Sequence, residues 1–414
     1  VTLAVALLLS LSLSASAATK AIKFGKLWDG HRVVPNAVVI VDNDKVESVA
    51  ANGRIPAGVE TIDLSRYTGI PGLIDSHTHT TFYWDRSTGT TPLKQPPRHV
   101  ALTVFFSQEN AKKEVEAGVT TVRDLTGFDG GDIALRDLIK RGAVVGPRMF
   151  VSGQGLRQAA IRRAGVTDTV AEAARLTKAV IDAGADWVKV YGSTGGGDDV
   201  TGDQTVSYEE MKAIVDTAHA AGRKVAIHSY GPAGARDAIR AGTDTLEHAT
   251  DMDDATIAEL ARSKIWYIPT INHNQHYLDH ADDVYKFSAE AKNNLRNFIQ
   301  RNFVTAQKAY RAGARMLVGS DAVYTAFGTN MQELSWFVKF GMSNEQALQS
   351  ATVLPAEMLG MEKTLGAVAP GYTADIVAVE GDPLTDVQAV VNNVRWVMKE
   401  GAVVVDKTRA AATR

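Results

Sequence analysis

Six times between residues 70 and 366 a helical stretch closes on a glycine and an apolar run follows within a few positions. The glycines are Gly118, Gly142, Gly184, Gly222, Gly242 and Gly313. Glycine there supplies the left-handed backbone that ends a helix without a Cβ penalty. Helix starts are marked as well, since Thr169-Val170-Ala171-Glu172 and Ser207-Tyr208-Glu209-Glu210 both fit a capping box. The apolar runs place strands at 71–76, 119–125, 148–153, 187–191, 225–229, 245–249, 265–270 and 316–321. Eight strands with intervening helices in one uninterrupted region predict an α/β fold, a (β/α)8 TIM barrel. The structural alternative is an open doubly wound sheet, but no Gly-rich dinucleotide fingerprint follows the first strand.

Both chain ends read differently. Residues 18–69 hold short β-type runs split by Asp29-Gly30, Asp42-Asn43-Asp44 and Asn52-Gly53, and residues 367–414 repeat the pattern around Gly381-Asp382-Pro383 and Glu400-Gly401. The expectation is one small β-sandwich built from both ends, with the barrel of residues 70–366 inserted into it. Residues 1–17 carry an apolar core and then Ala15-Ser16-Ala17, which suits a secretory signal peptide cleaved before Ala18. The expected location is therefore exported, periplasmic or secreted, with no membrane span once the signal is removed. A chain that is 45% hydrophobic, has a formal net charge of -3 and has no cysteine supports a large core. It excludes a nucleic-acid footprint and a disulfide framework.

In a barrel, chemistry gathers at the C-terminal strand ends. Strand one ends in Asp75-Ser76-His77-Thr78-His79, where alternation along a strand projects His77 and His79 to one side. Two neutral imidazoles so placed suit a divalent cation. Strand four carries Lys189 inside an apolar run, strands five and six end in His228 and His248, and strand eight ends in Asp321. Singly, each has a plainer reading: a snorkelling lysine, hydrogen-bonded core histidines, an aspartate that caps a helix. All six at strand ends point to a metal-binding constellation.

These residues resemble the amidohydrolase superfamily over nearly the whole chain past residue 17. The resemblance rests on Pro71-Gly72-Leu73-Ile74-Asp75-Ser76-His77-Thr78-His79, on the split β-sandwich and on Gly366 to Ile376. Within it, Asp186 to Tyr191 and His228-Ser229-Tyr230-Gly231 are most similar to the imidazolonepropionase-like and prolidase-like branch. Members of that branch hydrolyse Xaa-Pro or Xaa-Arg dipeptides and other amides of amino acids, ochratoxin-type amides included. The resemblance implies that His77, His79 and Asp321 bind one metal ion and His228 and His248 a second, with Lys189 as a CO2-derived carbamate bridging both. Zinc suits an imidazole-rich set, with manganese, cobalt or iron as alternatives. The implied reaction is attack of a metal-bound hydroxide on an amide carbonyl, with Asp321 moving the proton to the leaving nitrogen.

Substrate contacts are expected from Tyr230, on a substrate carboxylate, and from Tyr83 in the aromatic run Phe82-Tyr83-Trp84, lining an apolar pocket. A packed loop tyrosine is the plainer reading of Tyr230. His273, His276 and His280 read as loop histidines, and Gly195-Gly196-Gly197-Asp198-Asp199 as a flexible loop over the site. One departure stands out. Where prolidase-like relatives carry Thr-Gly-Gly-His after strand three, this chain reads Gly153-Gln154-Gly155-Leu156-Arg157. Arg157, Arg162 and Arg163 are the candidate replacements for that histidine as a carboxylate holder, or else solvated surface charges. The partner expected is a small molecule with an amide and a carboxylate, and the resemblance implies a homo-oligomer. The same metals would also serve a cyclic-amide, lactone or organophosphate hydrolase. A non-catalytic scaffold would have lost ligands, and all six are present.

Overall fold

The computed structural model describes residues 19–408, so the signal peptide expected over residues 1–17 lies outside the described residues. The N-terminal runs become β1 (Lys20–Trp28), β2 (Val33–Asp42), β3 (Lys45–Ala51) and β4 (Glu60–Pro71). The alternating region supplies β5 (Leu73–Thr78), β6 (Val119–Asp124), β7 (Arg148–Val151), β8 (Trp187–Tyr191), β9 (Lys224–Ser229), β10 (Thr245–His248), β11 (Trp266–Ile268) and β12 (Arg315–Met316). The C-terminal runs are β13 (Ile376–Val379), β14 (Val394–Lys399) and β15 (Ala402–Asp406). A strand overlaps each of the eight expected positions in the alternating region, but the eighth, expected over 316–321, is only Arg315–Met316. Strand one starts later than residue 71, because β4 runs on to Pro71 and pairs Thr68 to Pro71 with β13.

Among the described residues the two chain ends meet in one seven-stranded sheet, ordered β15-β14-β13-β4-β1-β2-β3. Its faces divide by the period of two that strands impose. On β13, Ile376 and Ala378 join a small core with Ile22, Phe24, Leu64 and Trp396. Val377 and Val379 turn the other way into the main core with Val119, Val122 and Val188. The sheet is thus glued to the alternating region by alternate residues of one strand. Gly72 makes the junction: a Cβ there would stand 2.2 Å from Thr120 Oγ1, so a larger residue would push β5 off β6.

The parallel strands form a five-stranded sheet, β12-β11-β10-β9-β8, and a three-stranded one, β5-β6-β7. Bridges join them at both edges: Thr78 pairs with Ala322 beyond β12, and Leu156 beyond β7 pairs with Val190 of β8. The strand order is therefore cyclic. β5, β6 and β10 are buried along their whole length, as strands covered on both faces must be. The six helix-closing glycines all adopt positive φ, between 67° and 102°. Ser207 and Glu210 form the expected capping box. Thr169 does not cap its helix: Asp168, one residue earlier, accepts from the Ala171 N–H instead. No helix among the described residues is long and apolar enough to cross a membrane.

Candidate functional site

The cyclic order brings the ends of β5, β8, β9 and β10 and the chain beyond β12 around one cavity of about 240 Å³. His79, Lys189, His228, His248 and Asp321 line it, together with Tyr230, Arg157 and His273. Strand eight continues past β12 as extended chain, held by Ser76 N–H to Val318 O (3.0 Å) and Asp321 N–H to His77 O (2.7 Å). That register sets Asp321 beside both histidines of strand one. Asp321 Oδ1 lies 3.0 Å from His79 Nε2 and 3.5 Å from His77 Nε2. The ligand atoms of His77, His79 and Asp321 all lie within 4.8 Å of one another, and all three residues are buried. Lys189 Nζ is 3.3 Å from His77 Nε2, while the His228 and His248 rings are 4.5 Å apart.

Backbone strain accompanies this packing. His248 (φ 72°), Thr270 (φ 48°) and Asp321 (φ 50°) all occupy the left-handed region, which side chains with a Cβ enter only when their surroundings force it. Protonation follows from burial. Desolvation lowers the imidazoles of His77, to about 4, and of His79, His228 and His248, so all four are neutral with lone pairs to offer. Desolvation also brings Lys189 down to about 8. Burial pushes the Asp321 carboxyl up, but His273, His77 and His79 outweigh it and hold the group well below the usual range.

Two of the four imidazoles are aimed by their other nitrogen. His77 Nδ1 meets Glu247 Oε2 at 2.8 Å, and His248 Nδ1 meets Thr270 Oγ1 at 2.6 Å. His79 Nδ1 is buried without a hydrogen-bond partner among the described residues. Glu247 is in turn held by Arg123, whose Nη2 donates to Oε1 at 2.9 Å, and Arg123 Nε donates to Ser76 O at 2.6 Å. Asp75 ties the neighbouring strands together: its Oδ1 accepts the Ser320 N–H at 2.9 Å and its Oδ2 the Asn330 side chain at 3.0 Å.

The substrate-contact expectations divide. Tyr230 stacks on His228 at 5.0 Å and lines the cavity, and its buried hydroxyl is held protonated by desolvation. Tyr83 is a correction. Its ring stacks on Phe106 and its hydroxyl donates to Glu109 at 3.0 Å, within a neighbouring cavity of about 230 Å³, while Phe82 occupies the expected place. The chain turns after strand one, with Phe82 N–H bonded to His79 O, so strand alternation no longer governs residue 83. His273 is a second correction. Residues Ile271–Asp279 form a helix, not a loop, and put His273 Nε2 3.4 Å from Asp321 Oδ2. His276 and His280 bond to Thr325 and Asp283 instead. Arg162 and Arg163 are paired with Glu210 and Glu172, but Arg157 reaches the cavity, as do Gly195, Gly196 and Gly197. A larger cavity of about 470 Å³ opens at the opposite strand ends. Its Arg136, Arg148 and Lys399 are already matched by Asp186, Asp375 and Glu400, and no histidine lines it.

Comparison with known proteins agrees with this geometry. Residues 68–404 match the model of the amidohydrolase family. The chain is 27% identical over 392 residues to the ochratoxinase of Aspergillus niger, covering 85% of this chain and 79% of that protein. It is 24% identical to an imidazolonepropionase of Streptomyces avermitilis, with 84% and 81% covered. Among solved structures, a Xaa-Pro dipeptidase with methionine bound in its active site superposes with a TM-score of 0.83 at 28% identity. That match covers 93% of this chain and 99% of the other.

Proposed function

This chain belongs to the amidohydrolase family, and on that premise we propose that its cavity is a binuclear metal site that hydrolyses dipeptides or N-acyl amino acids. The chain is a hydrolase of carbon–nitrogen amide bonds. The finer reading rests chiefly on one observation: the imidazoles of His79, His228 and His248, the Asp321 carboxylate and the buried Lys189 line a single cavity, with His77 directly behind Lys189 and Asp321. The donor set fits divalent ions of the zinc type. The imidazoles are lowered by desolvation into their neutral form, and each of His77 and His248 is oriented by a partner on its far nitrogen.

On this reading His77, His79 and Asp321 would hold one ion and His228 and His248 the other, and Lys189, as a carbamate, would add an anionic ligand. Zinc is the first expectation, and manganese, cobalt or iron would also suit. Two such ions supply Lewis acidity for a carbonyl oxygen and make a water easier to deprotonate near neutral pH. Asp321, held as a carboxylate, accepts the proton of the attacking water and delivers it to the leaving nitrogen. Tyr230, held as a neutral phenol, donates a hydrogen bond to a substrate oxygen. We read the cyclic strands as a (β/α)8 barrel, supported by bridges at both sheet edges, and the terminal sheet as a β-sandwich, supported by its own enclosed core. Export is proposed from the apolar run of residues 1–17 alone.

Metal analysis of freshly purified protein, run beside hydrolysis of dipeptides, N-acyl amino acids, hydantoin-like rings and lactones, tests the proposal. About two equivalents of metal per chain, with amide hydrolysis lost to chelator and restored by zinc or manganese, is the expected result. One equivalent would make Lys189 a structural lysine. Preferred turnover of lactones would move the substrate class.

A further inference from the structure

We propose that Arg157 holds the carboxylate of the substrate and makes the site selective for amides whose leaving amine is an amino acid. This rests on the hydrolase reading above and adds the residue that reads the substrate's charge. The first observation is a lack of partners. Arg162 grips Glu210 through two bonds (3.1 and 3.0 Å), and Arg163 bonds to Glu172 at 3.1 Å. Arg157, a few residues earlier, has no carboxylate and no hydrogen-bond acceptor among the described residues. What it does have is the Tyr191 ring, with the guanidinium carbon 3.3 Å from the ring centroid.

The second observation is how firmly that position is built. Leu156 N–H bonds to Lys189 O at 2.8 Å and Tyr191 N–H to Leu156 O at 2.9 Å, which lashes the backbone before Arg157 to β8. The Tyr191 hydroxyl donates to Thr126 Oγ1 at 3.0 Å and so fixes the ring. Gly155 lets the segment lie against it, since a Cβ there would come within 2.7 Å of that ring. A guanidinium stacked on an aromatic face keeps its in-plane N–H fork free, and the fork matches a carboxylate in two parallel bonds.

The third observation is the cavity itself. Beside Lys189, Arg157 is the other lysine or arginine that lines it, and its lone carboxylate, Asp321, is already engaged with His77, His79 and His273. Arg157 is exposed at the rim, whereas Lys189 lies buried next to His77. An anionic group arriving from solvent therefore meets Arg157 first. The Tyr191 ring beneath it is 5.4 Å from His228, so a carboxylate held there sits one ring away from the proposed metal ligands.

The test compares N-benzoylphenylalanine with N-benzoyl-2-phenylethylamine, which lacks only the carboxylate, on wild type, Arg157→Met and Arg157→Lys. Benzoate release gives kcat/KM, and calorimetry on the holoenzyme gives binding. The expected result is a loss in Arg157→Met on the acid that exceeds its loss on the neutral amide by about thirtyfold, the usual worth of a hydrogen bond to a charged group. The change should fall mainly in KM, and Arg157→Lys should recover part of it. Equal losses on the two amides, or an unchanged preference in Arg157→Met, overturn the proposal while leaving the hydrolase reading intact. If wild type cleaves neither amide, it is the substrate reading that fails. Calorimetry then still decides this one, because equal binding of the acid to wild type and Arg157→Met overturns it.

Discussion

The two halves of the candidate metal site are built to different standards. Around strands one and eight, His77, His79 and Asp321 converge tightly and rest on a buried ionic floor. Glu247 bonds to His77 from below, Arg123 pairs with Glu247, and Asp75 bolts β5 to strand eight. Around strands five and six the support is thinner. His248 leans on the Thr270 hydroxyl, and the hydrogen bond His228 makes among the described residues is a long 3.4 Å contact from Nε2 to Thr194 O. An imidazole bonded to a carboxylate is a more basic ligand than one bonded to a hydroxyl or carbonyl. The support beneath His77 therefore makes the first half the better preformed of the two.

Asp321 breaks the comparison, because its one carboxylate faces both halves. Its carboxylate faces His77, His79 and His273, and Oδ2 lies 3.9 Å from His248 Nδ1. Asp321→Asn keeps the shape and removes the charge and the proton acceptor. The expected loss is about a thousandfold or more in kcat on whichever amide wild type cleaves best, within the range for removing a general base. Steady-state rates with metal content measured on the same sample check it. A variant with full metal and near-normal kcat would take Asp321 out of proton transfer.

The floor under the first half is tested at Glu247. Removing one partner of a fully buried ion pair leaves the other charge uncompensated, which costs about 3–5 kcal/mol. Glu247→Gln should therefore lower unfolding stability by that order, measured by denaturant titration. The pH dependence has a definite sign. Burial raises the Glu247 carboxyl, but Arg123 and His77 overcome this and depress it to about 2 from the usual 4.5. A depressed folded-state value means the stabilisation is fully present above 4.5 and fades as pH falls toward 2. The gap between wild type and Glu247→Gln should be flat from pH 5 to 7 and close on acidification below 4.5. A gap that instead widened in acid would show that the pair does not stabilise the fold.

What the sequence revealed and what it hid follow the same division. His77, His79, His228, His248 and Asp321 were legible because they close apolar runs, and Lys189 because it is a charge inside one; the helix ends before those runs were marked by local glycine caps. The supporting partners were not. Arg123 and Glu247 meet across 124 positions, and neither stands out as more than a charge within a strand. His273 was hidden because Glu333 fixes its helix: that carboxylate accepts from the N–H groups of Ile271 and Asn272 at 2.9 and 2.7 Å. Only the third dimension turns a loop-like run into a helix start. Tyr83 misled because a turn directly after strand one resets which side a residue faces. Thr169 misled for a local reason: Asp168 beside it is an equally good cap and takes the position.

The smallest effect is the sharpest measure of the difference between the halves. His77→Gln and His228→Gln remove the same ring from two buried places, so the volume terms nearly cancel between them. They differ in what is left behind. Without His77, Glu247 Oε2 loses its donor in a place water does not reach, at a cost of about 1–3 kcal/mol. Without His228, the bond lost is the long contact to Thr194 O, and Tyr230 keeps its stacking on Phe298 at 4.6 Å. Unfolding of both variants in chelator, where no ion contributes, should show His77→Gln the less stable by about 1–2 kcal/mol. Equal stabilities would mean that the floor beneath His77 adds nothing to the empty protein, and that the two halves part company only once ions are bound.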